Sequence, residues 1–297
     1  MLLPVLTTAP RSSIIVSMNR LDSAQRAQVL RCLIEGRSIR STSRLTGVAI
    51  NTVVKLAVDA GRACADYQDR TMRNLKCDRM QVDEIWAFVY AKEKNVTPAI
   101  AAKRRAGDAW TWTAIDADTK LVACWLVGDR SPEAARDFVE DLAGRLANRI
   151  QLTSDGLKLY VKAVDKAFGG DVDYAMLVKV YGIPNDGEKR YSPAQCLGCE
   201  SHTVTGNPDP KHISTSYVER QNLTMRMSMR RFTRLTNAFS KKMENHMHAV
   251  ALYFMYYNFG RIHQTLKQTP AMAAGLETRK WEISDIVAMI DAYENSN

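Results

Sequence analysis

Three acidic residues at wide spacing are the part of this sequence that could carry out chemistry. Asp83 lies in the middle of an apolar segment, Asp155 directly follows another, and Glu219 lies in a helical pattern further along the chain. Carboxylates that converge from separate elements can hold two Mg²⁺ ions, or Mn²⁺ in their place, roughly 3.5–4 Å apart and promote phosphoryl transfer. We therefore predict that Asp83, Asp155 and Glu219 are the metal ligands and catalytic residues.

Other acids near this set have simpler interpretations. Glu84 directly follows Asp83 in a predicted strand, and successive side chains of a strand point to opposite faces. We therefore expect Glu84 on the face opposite to Asp83, with a basic partner there. Asp116 and Asp118 fit a turn between two strands. The alternative for the three predicted ligands themselves is that they are ordinary solvated or paired acids, because the chain has 32 acidic residues.

The helix predicted to carry Glu219 has a basic face. Between Glu219 and Glu244 the sequence has seven basic residues and no acidic one. Such a run is often only a solvated surface, but beside a metal site it favours contact with a phosphate backbone. The predicted backbone contacts are Asn222, Arg226, Arg230, Arg231 and Arg234. The apolar stripe predicted to face the core is Val218, Met225, Met229 and Phe232.

Residues 18–62 have the pattern of three short helices, and the net charge of +9 favours a polyanionic partner. Asp22 or Ser23 is expected to cap the first helix, and Ser38 the second. The third is expected to end near Ala60. Because the second and third helices meet across a short turn at Gly47, we predict a helix-turn-helix, although three-helix bundles without DNA are common. The residues predicted to contact DNA bases are Ile50, Asn51, Thr52 and Lys55.

The segment 79–259 has the pattern of three strands followed by helix, strand, helix, strand and two long helices. We predict an α/β fold, a ribonuclease H-like mixed sheet with flanking helices, preceded by a small all-α helix-turn-helix domain. The remaining predictions are a disordered tail at 1–17, a linker at 63–78, an irregular insertion at 182–213 and a C-terminal tail with a short helix at 260–297.

The six cysteines are mostly isolated, which is typical of a reduced, cytosolic protein. Cys196 and Cys199 are predicted to be unligated thiols in a loop, because their spacing from His202 and His212 is not that of a known zinc finger. A zinc site formed by these four residues is the alternative. No segment reaches the roughly 18 uninterrupted apolar residues that a membrane span needs, so no membrane partner is expected.

With these residues identified, the chain resembles transposases of the insertion-sequence-one family from about Met18 to residue 290. The matching stretches are Gln81–Trp86, Trp110–Asp118, Thr153–Gly156, Ser214–Asn222 and Thr269–Gly275. The resemblance implies a DDE transposase that nicks DNA 3′ ends and joins them to a target, with Asp83, Asp155 and Glu219 at the acidic positions.

The resemblance also implies partners and a place of action. These are double-stranded DNA, as element ends and as target, and further copies of the chain in a homodimer or larger assembly on DNA. The place is the cytoplasm of a bacterium or archaeon, in association with the nucleoid. Two alternatives stay open: a domesticated DNA-binding regulator, and a nuclease that cuts without strand transfer.

Overall fold

A computed structural model describes residues 20–101, 105–182, 196–233 and 237–296. Its strands are β1 (Arg79–Val89), β2 (Gly107–Asp116), β3 (Val122–Gly128), β4 (Gln151–Ser154), β5 (Asp173–Tyr181) and β6 (Cys196–Thr205). Its helices are α1 (Ser23–Ile34), α2 (Ile39–Thr46), α3 (Ile50–Thr71), α4 (Pro98–Ala101), α5 (Pro132–Ala143), α6 (Leu159–Phe168), α7 (Ser216–Ser228), α8 (Met243–Met255), α9 (Pro270–Ala273) and α10 (Ile283–Ser296). The predicted tail at 1–17 lies outside the described residues.

The six strands form one mixed sheet in the order β3-β2-β1-β4-β5-β6. The first three strands are antiparallel, β4 runs parallel to both β1 and β5, and β6 is antiparallel at the edge. Helices α5 and α6 cover one face, whereas α7 and α8 cover the other. The predicted mixed sheet with flanking helices is therefore confirmed, and its strand order is compatible with a ribonuclease H-like fold.

The first helices begin where their capping residues predict. Asp22 and Gln25 form a reciprocal capping box at α1, and the Ser38 hydroxyl accepts a hydrogen bond from the Ser41 amide at α2. Gly47 ends α2 in the left-handed conformation, with φ 71°. A short turn that contains Gly47 thus joins α2 to α3, while the helix-turn-helix and its role in binding DNA stay predictions.

Helix α3 is twice as long as predicted, since it continues to Thr71 instead of ending near Ala60. Most of the predicted linker at 63–78 is therefore helical or paired with the sheet region, which corrects that prediction. The physical reason is tertiary: α3 packs along α8, and Gly61 lets the backbone of His248 come close. Gly61 serves close packing here and does not end the helix.

The predicted insertion at 182–213 contains the edge strand β6, and the prediction of irregular structure is wrong for that part. Strand β6 forms because its backbone pairs with β5, with Cys199 opposite Lys179 and His202 opposite Met176. Cys196 and Cys199 are consequently exposed residues of a strand and do not lie in a loop. The segment 183–195 lies outside the described residues.

The C-terminal segment is part of the core, which corrects the predicted tail at 260–297. Ile286, Val287 and Ile290 of α10 are buried in the same cluster as residues of α1 and α3. Beside them, the Arg26 guanidinium is paired with Asp291 and Glu294 of α10. Within the described ranges, no helix combines the length and the apolar composition needed to cross a bilayer.

The packing of α3 on α8 predicts that Gly61→Ala destabilises the protein. Alanine normally stabilises a helix interior by about 1 kcal/mol relative to glycine. Here the added Cβ would collide with the Cβ and the backbone of His248. We expect urea denaturation to show a loss of roughly 1–3 kcal/mol, which is typical of overpacking.

Gly144→Ala is the matched control for this substitution. Gly144 has φ −68°, and the nearest atom to an added Cβ would be a backbone oxygen at 3.5 Å, an ordinary contact. We expect Gly144→Ala to leave the free energy of unfolding within about 0.5 kcal/mol of wild type. If both variants behave alike, the close approach of α3 and α8 is wrong.

Candidate active site

The parallel pairing of β1 with β4 brings Asp83 and Asp155 together. Val82 is the register partner of Ser154, so the two aspartates follow at the same end of neighbouring strands. Asp83, Glu84 and Asp155 each offer a carboxylate oxygen, and these three atoms lie within 4.8 Å of one another. We call these three residues the acidic cluster. Among the described residues it is the one group of three acidic, histidine or cysteine side chains with this geometry.

Asp83 is held by two hydrogen bonds and surrounded by negative charge. Its Oδ1 accepts from the Glu84 amide and its Oδ2 from Nδ2 of Asn222, each at 2.8 Å. Burial, followed by the charges of Glu84 and Asp155, raises the pKa of Asp83 from 3.8 to about 7. A nearby cation would offset this repulsion.

Glu84 is the member of the acidic cluster that the sequence analysis did not include. As predicted from alternation, it lies on the other face from Asp83 and has a basic partner, Arg130, at 2.5 Å. Tyr160 of α6 also donates to it, at 3.2 Å. Burial and the charge of Asp155 nevertheless raise the pKa of Glu84, although Arg130 opposes the shift. Glu84 directly follows Asp83 in β1, beside the end of β4. This adjacency was the feature of the sequence that could have identified it.

Glu219, the third predicted ligand, is held outside the acidic cluster. Lys179 of β5 donates to its Oε2 and the Thr215 hydroxyl to its Oε1, both at 2.5 Å. Glu219 lies nearly one helical turn before Asn222, the residue that contacts Asp83, and its charge adds to the raised pKa of Asp83. The structure therefore brings two of the three predicted ligands together, with the third close by and paired with a lysine.

The residues of the acidic cluster fit a divalent cation. Hard carboxylate oxygens are the ligands that Mg²⁺, Mn²⁺ and Ca²⁺ prefer. Asn222 is only 4% exposed, and its Oδ1 has no hydrogen-bond partner among the described residues. Such a buried acceptor beside clustered carboxylates is suited to a cation or to the water that a cation carries.

The basic residues predicted on the helix that carries Glu219 divide into separate environments, because α7 ends at Ser228 and a short 3-10 helix, Arg230–Phe232, follows it. Val218, Met225, Met229 and Phe232 form the buried stripe, as predicted. Arg230 is exposed and Arg226 is half-buried. Arg231 instead donates to the Ser240 hydroxyl at 2.6 Å, and burial lowers its pKa to about 10. Arg231 and the buried Asn222 thus have partners inside the protein, and their predicted contact with DNA stays a prediction. Arg234 lies outside the described residues.

The residues predicted to contact bases lie at the start of α3. Ile50 is 46% exposed, Asn51 and Lys55 are exposed, and Thr52 is half-buried. Lys55 forms an ion pair with Asp59, one turn along the helix, at 2.6 Å. A surface pair of this kind is weak and can exchange for a phosphate.

The cysteine pair on β6 has no metal-site geometry in the described part of the chain. His202 approaches Glu200 at 3.7 Å, and His212 pairs with Asp209 at 3.0 Å. Cys196 and Cys199 join no group of three candidate ligands among the described residues.

Comparison with known proteins adds little to this geometry. No family model matches the chain, and no curated protein matches it. Among solved structures, Argonaute from Kluyveromyces polysporus with a guide RNA aligns with a TM-score of 0.23 and 8% identity. The alignment covers 78% of this chain and 36% of that one, so the chain spans about a third of the length of the Argonaute. A similarity of this degree carries no argument about function.

The raised pKa of Asp83 predicts how the metal-free protein responds to pH. The pKa of this carboxyl is higher in the folded protein than in the unfolded chain, so it stabilises the fold fully below pH 4. This contribution is lost as the pH rises through 7. Asp83→Asn carries no charge to bury. In EDTA at pH 8.5 we expect its thermal midpoint to exceed that of wild type by roughly 2–5 °C, with a smaller difference at pH 5.

Asp173→Asn provides a control of opposite sign. The Arg149 guanidinium lowers the pKa of Asp173, so its contribution is present above the ordinary pKa and lost as the pH falls. Asp173→Asn should therefore be the less stable protein at pH 8.5. A difference between Asp83→Asn and wild type that does not change with pH would contradict the account of the acidic cluster.

Proposed function

We propose that this protein is a DNA transposase that binds element ends, nicks their 3′ ends by metal-dependent hydrolysis and joins them to target DNA. The observation that carries the proposal is the juxtaposition of Asp83 and Asp155 at the ends of two parallel strands. The two carboxylates repel each other, and the pKa of Asp83 is raised to about 7; a bound cation would offset this repulsion. The choice of DNA as the substrate rests on the resemblance of five stretches of the sequence to insertion-sequence-one transposases.

In this proposal Asp83 and Asp155 would hold the ions, and Asn222 orients Asp83 through the hydrogen bond that its amide donates. The chemistry that a bound pair of Mg²⁺ ions supplies, with Mn²⁺ as a substitute, is activation of the attacking oxygen and stabilisation of the leaving oxygen. Glu219 would be a further ligand if its ion pair with Lys179 opened. Glu84, neutralised in part by Arg130, keeps negative charge at the site.

The DNA-binding surfaces of the proposal are the start of α3 and the basic residues on α7 and directly after it. Asn51 and Lys55 would face the major groove, while Arg226 and Arg230 would follow a phosphate backbone. Both are surfaces for double-stranded DNA, and pairing two element ends would require a homodimer or a larger assembly.

A DNA-binding regulator is the second candidate, and one observation favours it. Glu219 is occupied by Lys179 and Thr215, an arrangement that would suit a chain in which the acidic residues no longer act on DNA. A nuclease without strand transfer shares the same metal chemistry and is separated from a transposase by whether cleaved ends are joined.

The substitution Asp155→Asn separates the enzyme from the regulator. It keeps the shape of the side chain and removes one charge from the proposed metal site. We expect cleavage and joining of a labelled element end in Mg²⁺ or Mn²⁺ to fall to background, by roughly 10³-fold or more. Binding of the same DNA in a gel shift should remain, since the removed charge is one that repels phosphate.

Asn51→Ala is the reciprocal control. It should weaken binding to the element end and leave metal-dependent activity on non-specific DNA intact. Asp155→Asn protein that cleaves at the wild-type rate would show that the proposed active site is wrong. Wild-type protein that binds the ends but cuts in neither Mg²⁺ nor Mn²⁺ would favour the regulator.

A further inference from the structure

Two tryptophans lie beside the acidic cluster on the face of the sheet that carries Glu84. Trp86 of β1 and Trp110 of β2 are direct register partners, and both are half-buried. Because side chains alternate along a strand, Trp86 is the next residue after Glu84 on this face, roughly 7 Å along β1. The pair therefore extends from the acidic cluster toward solvent.

Two cations lie against these rings. The Lys92 ammonium is 5.6 Å from the centroid of the Trp86 ring, and the Arg130 guanidinium carbon is 4.7 Å from that of Trp110. Arg130 also donates to Glu84 at 2.5 Å, so one side chain connects the tryptophan pair with the acidic cluster. We call Trp86, Trp110, Lys92 and Arg130 the tryptophan platform.

The tryptophan platform borders an open cleft. Trp86 lines it together with Lys92, Glu93, Lys94 and Asp108, and its volume is about 490 Å³. This is within the range of small-molecule sites. The cleft thus combines an aromatic face with cations for phosphate groups and carboxylates that can accept hydrogen bonds from amino groups.

Packing accounts for part of this arrangement, since the ring centroids of Trp86 and Phe88 lie 5.8 Å apart, but it leaves both tryptophans of the platform partly exposed. Trp112, the next tryptophan on the same face of β2, shows how packing uses such a residue: it is fully buried against Phe138 and Tyr160. Trp86 and Trp110 keep part of their surface in solvent, and their neighbours include two lysines and an arginine.

We propose that the tryptophan platform binds an unpaired nucleobase of the DNA strand whose backbone lies at the acidic cluster. The base stacks on Trp86 in the cleft, and Lys92 and Arg130 contact the phosphates on either side of it. Stacking on aromatic rings tolerates any base, so this site contributes affinity for unpaired strands without reading sequence. The proposal rests on the proposed function for its choice of nucleic acid.

The test uses a fluorescein-labelled single strand of twelve thymidines and a random-sequence duplex of the same length, without divalent cations. We expect Trp86→Ala to weaken binding of the single strand about tenfold or more, as for the loss of one stacked base. Binding of the duplex should change less than twofold. Trp281→Phe, which alters a tryptophan packed on Tyr67 and Phe259, should change neither affinity.

An abasic strand of the same length assigns the effect to stacking. Wild type should bind it about tenfold less tightly than the thymidine strand, and Trp86→Ala should bind the two strands alike. Should Trp86→Ala fail to fold, Trp86→Phe and Trp86→Leu replace it: both keep an apolar side chain on the sheet, and only phenylalanine retains a stacking ring.

The proposal is overturned if Trp86→Ala, or the leucine variant in its place, binds the thymidine strand as tightly as wild type. It is also overturned if wild type binds the abasic strand equally well. Because the measurement needs no metal, its outcome is separate from that of the cleavage assay. If the protein cleaves DNA but its binding of the thymidine strand does not depend on Trp86, this site alone is overturned. If binding depends on Trp86 but no cleavage occurs, the proposed transposase alone is overturned.

Discussion

The parallel pairing of β1 with β4 places two carboxylates side by side, and the rest of the site is arranged around that constraint. Backbone hydrogen bonds fix the register of Val82 with Ser154, so Asp83 and Asp155 cannot move apart without disrupting the centre of the sheet. Their repulsion is expressed in the raised pKa of Asp83. The repulsion is lessened but not removed by hydrogen bonds on both faces of the sheet. Arg130 and Tyr160 donate to Glu84, and Asn222 donates to Asp83.

Helix α7 connects the acidic cluster with the surfaces proposed to contact DNA. Its buried stripe fixes it against β1, which lets Asn222 reach Asp83, and its first turn carries Glu219. The far end of the helix touches the turn between α1 and α2, because Gly36 lies against the Ser228 carbonyl too closely for a side chain. The end of α7 is therefore in direct contact with the turn that precedes α2.

Local patterns in the sequence predicted the elements and faces that local chemistry decides. Alternation assigned Asp83 and Glu84 to opposite faces, the caps at Asp22 and Ser38 located two helix starts, and the stripe on α7 was buried. Features that depend on distant partners were missed: α3 continues past Gly61 because α8 packs on it, and β6 forms on β5. The pairing of Glu219 with Lys179 joins residues 40 apart in sequence, which no spacing rule indicates.

A divalent cation shared by Asp83 and Asp155 can be observed directly in a crystal. The most direct measurement is anomalous diffraction at the manganese edge from crystals of the wild-type protein soaked in Mn²⁺. We expect an anomalous peak between the two residues, within coordination distance of a carboxylate oxygen of each. A map with no peak there, or with manganese bound only elsewhere on the chain, would contradict it.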